Sequence, residues 1–182
     1  MVALQTPPVV LQRTAPHFIL PATDGQSYTP HDVLKEKGLI VMFICNHCPF
    51  VQAILPELVE DVKKMQQMGI GAIAIMSNDT TQYPEDSFEN MQALATTYQF
   101  SFPYCLDESQ SIAKAYGAVC TPDFFGFDEH LQEQYRGRFD NAGMNRTQAS
   151  EHDLLNAMTE LVNDGQISSP QHPSIGCSIK WT

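Results

Sequence analysis

The run Leu39-Ile40-Val41-Met42-Phe43-Ile44-Cys45, followed at once by Asn46-His47-Cys48-Pro49, decides how this chain folds. Gly38 opens the run, and no polar residue interrupts it until Asn46. Such continuous hydrophobicity, rich in β-formers, predicts a strand covered on both faces, as a central parallel strand is. Pro49 suits the first position of a helix, where its missing N–H would have no partner anyway. Beyond it Phe50, Val51, Ile54, Leu55, Leu58, Val59, Val62 and Met65 recur at helical spacing with charges between them. Pro56 inside this pattern removes one backbone hydrogen bond and predicts a kink rather than an end. Gly69 closes the helix, and residues 70–76 read as the next buried strand.

Outward from this unit the same alternation continues. A second helix is expected from Pro84, with Glu85 and Asp86 in its first turn, where acids favour the helix dipole. Residues 102–106 read as a short strand, and 109–116 as a brief helix stopped by Gly117. Residues 124–127 and 131–136 read as two strands joined by a tight turn at Asp128-Glu129. The last helix is expected to be capped by Ser150, with Asp153 three residues on, and to end at Gly165. Residues 166–182 form a tail without periodicity, although the compact mix of Gly176, Cys177 and Trp181 suggests that it packs onto the body. Alternating strands and helices predict the α/β class, a central sheet flanked by helices. No repeat or linker divides the 182 residues, so the expectation is one domain over 1–182, with a core at about 15–163.

Composition excludes several classes. With 43% hydrophobic and 17% charged residues the chain is neither disordered nor collagen-like. A net charge of -11 and the absence of any Lys/Arg run argue against a nucleic-acid partner. No stretch reaches the roughly 18 consecutive apolar residues of a membrane span. Residues 1–12 have neither the basic nor the apolar region of a signal peptide, so a cytoplasmic location is expected. There the five cysteines, Cys45, Cys48, Cys105, Cys120 and Cys177, are reactive or buried thiols rather than a disulfide scaffold.

Cys48 has a physical reason to react. A thiol at the start of a helix faces unpaired N–H groups and the positive end of the dipole, both of which favour the nucleophilic thiolate. Cys45 lies three residues earlier, giving Cys45-Asn46-His47-Cys48, and a C-x-x-C beside a βαβ pattern is a redox signal. His47 could place positive charge beside Cys48 or donate a proton, or simply cover the site edge. A zinc site on Cys45, His47 and Cys48 lacks the usual second pair of ligands, so no metal and no other cofactor is expected. Thr121-Pro122 opens a later strand, and Cys120 just before it is either a core residue or a thiol facing the same site.

These residues resemble the thioredoxin superfamily, nearest the branch of alkyl hydroperoxide reductases, thiol-specific antioxidant proteins and TlpA-like thiol-disulfide proteins. Ala15-Pro16-His17-Phe18-Ile19-Leu20-Pro21 with Asp24-Gly25 is similar to that branch's entry, a β-hairpin before the core. Val41 to Ile44 and Cys48-Pro49 resemble its central strand and active-site turn, and residues 84–106 stand where it carries a helix-strand insertion. The resemblance implies a thioredoxin-like fold with a central mixed sheet. It also implies a cis bond at Thr121-Pro122 facing the nucleophile, so that Thr121 and Pro122, with His47, would bind substrate. The register makes Cys48 the nucleophile, puts Val51 where the second thioredoxin cysteine stands, and puts Cys45 where peroxiredoxins carry Thr or Ser. The implied activity is thiol-disulfide exchange, with Cys48 attacking a disulfide and Cys45 or Cys120 resolving the product. The alternatives are a peroxiredoxin-like peroxidase, for which Arg136 or Arg138 would supply the arginine, and a non-catalytic thiol or metal-binding protein. Cys177 is a further thiol partner in the tail. The implied partners are protein disulfides or a peroxide, together with an external thiol reductant.

Overall fold

The computed structural model describes residues 3–146 and 151–182. Its central sheet has five strands in the order β6-β5-β4-β8-β9. These are β4 (Gly38–Phe43), β5 (Ile70–Met76), β6 (Tyr104–Leu106), β8 (Asp123–Phe127) and β9 (Glu133–Gly137). β4 and β5 run parallel, with Val41 opposite Ile73, and β5 is parallel to β6. β8 returns antiparallel to β4, with Val41 opposite Phe125, and β9 antiparallel to β8. The sheet is therefore mixed, as expected.

Alternation along β4 divides the core. Ile40 and Met42 face one side, where Ile54, Leu55, Leu58 and Val62 of α2 (Pro49–Gln67) meet Leu154, Met158 and Leu161 of α5 (Asp153–Asp164). Leu39, Val41 and Phe43 face the other, against Ala113 and Tyr116 of α4 (Ser111–Tyr116) and Phe18 and Leu20 of the entry segment. Every residue of β4 and β5 is buried. This two-sided cover is the physical reason that β4 reads as an unbroken apolar run. α2 runs through Pro56 without a break.

Several short elements complete the chain. The entry hairpin is β2 (Leu20–Pro21) and β3 (Ser27–Tyr28), and α1 (Pro30–Val33) follows, held by a capping box between Thr29 and Asp32. A single 3-10 turn, Pro84–Asp86, precedes α3 (Phe88–Thr97), so the helix expected from Pro84 starts only after Ser87, which caps it. The cap expected of Ser150 lies outside the described residues, and α5 follows His152, whose Nδ1 is 2.5 Å from Asp61 Oδ2. No described helix is long and apolar enough to cross a membrane.

The tail differs most from its reading. Residues 175–178 form β10 (Ile175–Ser178), which pairs antiparallel with both β1 (Ala3–Gln5) and β7 (Cys120–Thr121) in a second sheet of order β1-β10-β7. A strand of four residues has too few positions for a period to register, and its partners lie far away in sequence. The expected packing onto the body does hold, since Ser174, Cys177 and Ile179 are buried.

Candidate active site

The end of β4 and the start of α2 set the site. Cys45 and Asn46 lie just past the C-terminal end of the central strand β4, and Cys48 occupies the N-cap of α2 in an extended backbone conformation (φ -72, ψ 120) with Pro49 next. Nineteen helical residues follow, so the unpaired N–H groups and dipole of a long helix point at this sulfur. Opposite it, the Thr121-Pro122 peptide bond is cis. Thr121 is the hub of the site. Its carbonyl oxygen lies 3.2 Å from Cys48 Sγ, and its hydroxyl lies 3.3 Å from Cys45 Sγ.

All five cysteines are thiols, and they differ sharply in ionisation. Hydrogen bonding from Cys45 leads the causes that bring Cys48 down to about 5, helped by the Cys177 thiol and the amides of Val51 and Cys177, while burial opposes the shift. The Thr121 carbonyl favours a protonated Cys48, but two thiols and two amides outweigh one acceptor. The same contacts work in reverse on the neighbours. Cys45 is pushed well above its usual value, chiefly by its hydrogen bond to Cys48 and then by burial and the Asp86 charge. Burial, then the bond to Cys48, raises Cys177 to about 12, and Lys180 pulls it back. Burial raises Cys105 to about 12, and Cys120 is raised for the same reason. These shifts favour ionisation of Cys48 over that of its two thiol neighbours.

The expected site residues come together unevenly. Cys45, Cys48 and Thr121 meet. Cys120 is adjacent but directs its sulfur to the Pro122 carbonyl at 3.7 Å, not to Cys48. His47 does not turn to Cys48 either: its Nδ1 is 2.7 Å from Asp86 Oδ2, and its ring stacks on Tyr83 at 5.6 Å. Arg136 is committed to the buried Asp123 (2.9 Å) and to the Gly117 carbonyl, and Arg138 to Asp153. Burial raises Asp123 to about 6 even against the pull of Arg136.

One group was not foreseen as part of the site, and one expected thiol takes a position that could not be read from the sequence. Asp86 is fully buried beneath the turn, where its carboxylate accepts from the amides of Asn46 (2.8 Å) and His47 (3.2 Å) and from Asn78 Nδ2 (2.7 Å). Nothing in its local sequence separates it from an acid that merely begins a helix. The thiol is Cys177, in β10 directly opposite Thr121, with its sulfur 2.8 Å from Cys48 Sγ. The backbone of Thr121, a residue expected to bind substrate, is paired with the protein's own strand.

Cys45, His47 and Asp86 bring their ligand atoms within 4.8 Å of one another. The Asp86 oxygens already accept hydrogen bonds from four groups, and Cys48 is not among the three residues. This set therefore serves to hold the turn rather than to offer open ligand positions. A groove of about 240 Å³, whose lining includes Phe50, Ile54, Pro122, Phe139, Ser174 and Ile175, borders the site. The Cys48 side chain itself is 0% exposed.

Comparison with known proteins adds to this geometry. The chain matches the AhpC/TSA family over residues 11–139. An uncharacterized conserved protein from Geobacillus kaustophilus is 42% identical, with a TM-score of 0.94 over 100% of this chain and 97% of that one. A hypothetical protein from Sinorhizobium meliloti 1021 is 38% identical, with a TM-score of 0.91 over 98% of each chain. The thioredoxin domain of a thiol-disulfide oxidoreductase from Bacteroides vulgatus shares the fold at 16% identity, with a TM-score of 0.65 over 85% of this chain and 99% of that one. No match is found among the curated proteins. The mixed sheet, the helices on its two faces and these likenesses make the fold thioredoxin-like.

Proposed function

The chain belongs to the AhpC/TSA family, and from that premise we propose that it is a thiol-disulfide oxidoreductase whose nucleophile is Cys48. One observation carries the reading: the Cys48 sulfur sits at the N-terminus of a nineteen-residue helix, held near pKa 5 by hydrogen bonds from neighbouring thiols and amides. A thiolate is the attacking form in disulfide exchange, and this one is present at neutral pH. Its substrates are disulfides, and an external thiol returns it to the reduced state.

Peroxide reduction would start from the same thiolate but finds less support. The Thr121 hydroxyl meets Cys45 rather than Cys48, and Arg136 and Arg138 are held by Asp123 and Asp153. Thiolate ultraviolet absorbance, followed against pH in the wild type and in Cys48→Ser, tests the central claim. The expected result is a step near pH 5 that the variant lacks. A first step near the ordinary thiol value, unchanged in Cys48→Ser, would remove the reason to call Cys48 the nucleophile. Disulfide reductase assays on the same pair of proteins should show activity in the wild type alone.

A further inference from the structure

β10 occupies the backbone edge of β7, beside the Cys48 sulfur. β7 presents its backbone edge beside the nucleophile, with the Thr121 carbonyl 3.2 Å from Cys48 Sγ, and an extended peptide can add to such an edge by strand pairing. In this protein Cys177 pairs with Thr121 and Ser178 with Cys120, so the edge is already filled from within the chain. The fit is specific. Gly176 leaves no room for a side chain, because a Cβ there would stand 2.1 Å from the Thr121 carbonyl oxygen. Beyond Cys177 the chain is anchored by side chains of the body. The Lys180 amide donates to Asn78 Oδ1, its carbonyl accepts from Gln110 Nε2, and Gln110 Oε1 accepts from the Thr182 amide. Before Cys177, Ser174 donates its hydroxyl to the Pro122 carbonyl at 2.7 Å.

We propose that β10 is a built-in counterpart of the substrate strand, and that its Cys177 resolves Cys48 to give an intrachain Cys48–Cys177 disulfide. The proposal rests on the reading of Cys48 as nucleophile and replaces Cys45 and Cys120 in the resolving role. The sulfurs of Cys48 and Cys177 are 2.8 Å apart before any reaction. Cys45 also touches Cys48, but its burial and the nearby Asp86 carboxylate oppose thiolate formation there, against the weaker help of the Thr121 hydroxyl. Cys177 has the opposite neighbour, the Lys180 ammonium, which favours its thiolate.

The chemistry balances without another reagent. The Cys48 thiolate attacks one sulfur of a disulfide, its S–S bond breaks, and the departing thiolate takes up a proton. Cys48 is then neutral, so it no longer suppresses ionisation of Cys177. Cys177 loses its proton to solvent and attacks the Cys48 sulfur. A new S–S bond forms, the second half of the substrate leaves as a thiolate, and it is protonated in turn. Two protein thiols are oxidised and one disulfide is reduced to two thiols. Because Cys48 is covered, β10 parts from β7 to admit the substrate, and its return brings Cys177 against the mixed disulfide.

The test is peptide mapping of the full chain after treatment with glutathione disulfide, for the wild type, Cys177→Ser and Cys45→Ser. The expected products are a Cys48–Cys177 link in the wild type and in Cys45→Ser, and a glutathione adduct on Cys48 that persists in Cys177→Ser. A Cys48–Cys45 or Cys48–Cys120 link in the wild type would overturn the proposal while leaving the nucleophile in place. So would a Cys48 adduct that persists in the wild type with Cys177 reduced. Cys48 unmodified in all three proteins would overturn the nucleophile reading and this proposal with it. The wild-type and Cys45→Ser maps decide the matter even if Cys177→Ser fails to dock its strand.

Discussion

Asp86 and Cys48 show how much of the site depends on single side chains. The buried Asp86 carboxylate receives two backbone amides, the half-buried His47 ring and the buried Asn78 amide. Asp86→Ala strands these donors, and each unsatisfied buried group costs roughly 1–3 kcal/mol. We expect a loss of about 3 kcal/mol in urea unfolding, where a change within about 0.5 kcal/mol would mean that water replaces the carboxylate at no cost. For Cys48 the sign follows from its ionisation. Its folded pKa is about 5 and its ordinary value 9.0, so between these the unfolded chain holds a proton that the folded chain lacks. Stability from this group is therefore complete above pH 9 and is lost as pH falls through 5. Cys45 and Cys177 are shifted upward and stay protonated in both states across most of that window. Unfolding of the wild type and Cys48→Ser in parallel should give a stability difference that grows with pH over this range, by at most about 1.4 kcal/mol per unit. A difference independent of pH would contradict a folded-state thiolate.

Elements built on a long period were readable in the sequence, and elements built on distant pairing were not. β4, α2 and β5 follow from residues 38–76, where burial on both faces of the strands and on one face of the helix writes itself into the order of apolar residues. β7 has two residues, β10 four and α1 four, too few for any pattern to show. Thr29 and Asp32 did carry the signature of the α1 cap, but a single turn adds no apolar face to confirm it. The nucleophile was legible because its reactivity is local, a thiol at a helix start. Cys177 was legible only as a thiol in the tail, because its role depends on register against Thr121, more than fifty residues away. Gly176 tests that register without touching a thiol. Gly176→Ala places a methyl group against the Thr121 carbonyl and should lift β10 from β7. Alkylation of Cys48 by iodoacetamide should then be faster than in the wild type, with Cys105 unchanged. Equal rates would show that the strand is not what covers Cys48.

In the molecule as a whole, two sheets of unequal strength share one active site. β4 is paired along its length on both sides, whereas β10 meets β7 through two residue pairs and β1 through three. β1 itself is exposed throughout. The small sheet should therefore open locally at lower free energy than the central one. Hydrogen exchange of the reduced protein is expected to be faster at residues 175–178 than at 38–43, and a Cys48–Cys177 link should slow the first set alone. Exchange at 175–178 that is unchanged by oxidation would show that the strand does not separate independently. The order of elements along the chain also acts in time. Chains are made from the N-terminus, and domains begin to fold during synthesis. Residues 38–122 hold Cys45, Cys48 and Thr121, whereas the strand that hides them comes after every other element. During translation residues 38–122 are thus made before the strand that covers Cys48. Until residues 175–178 emerge, any partly folded chain holds its Cys48 without that cover.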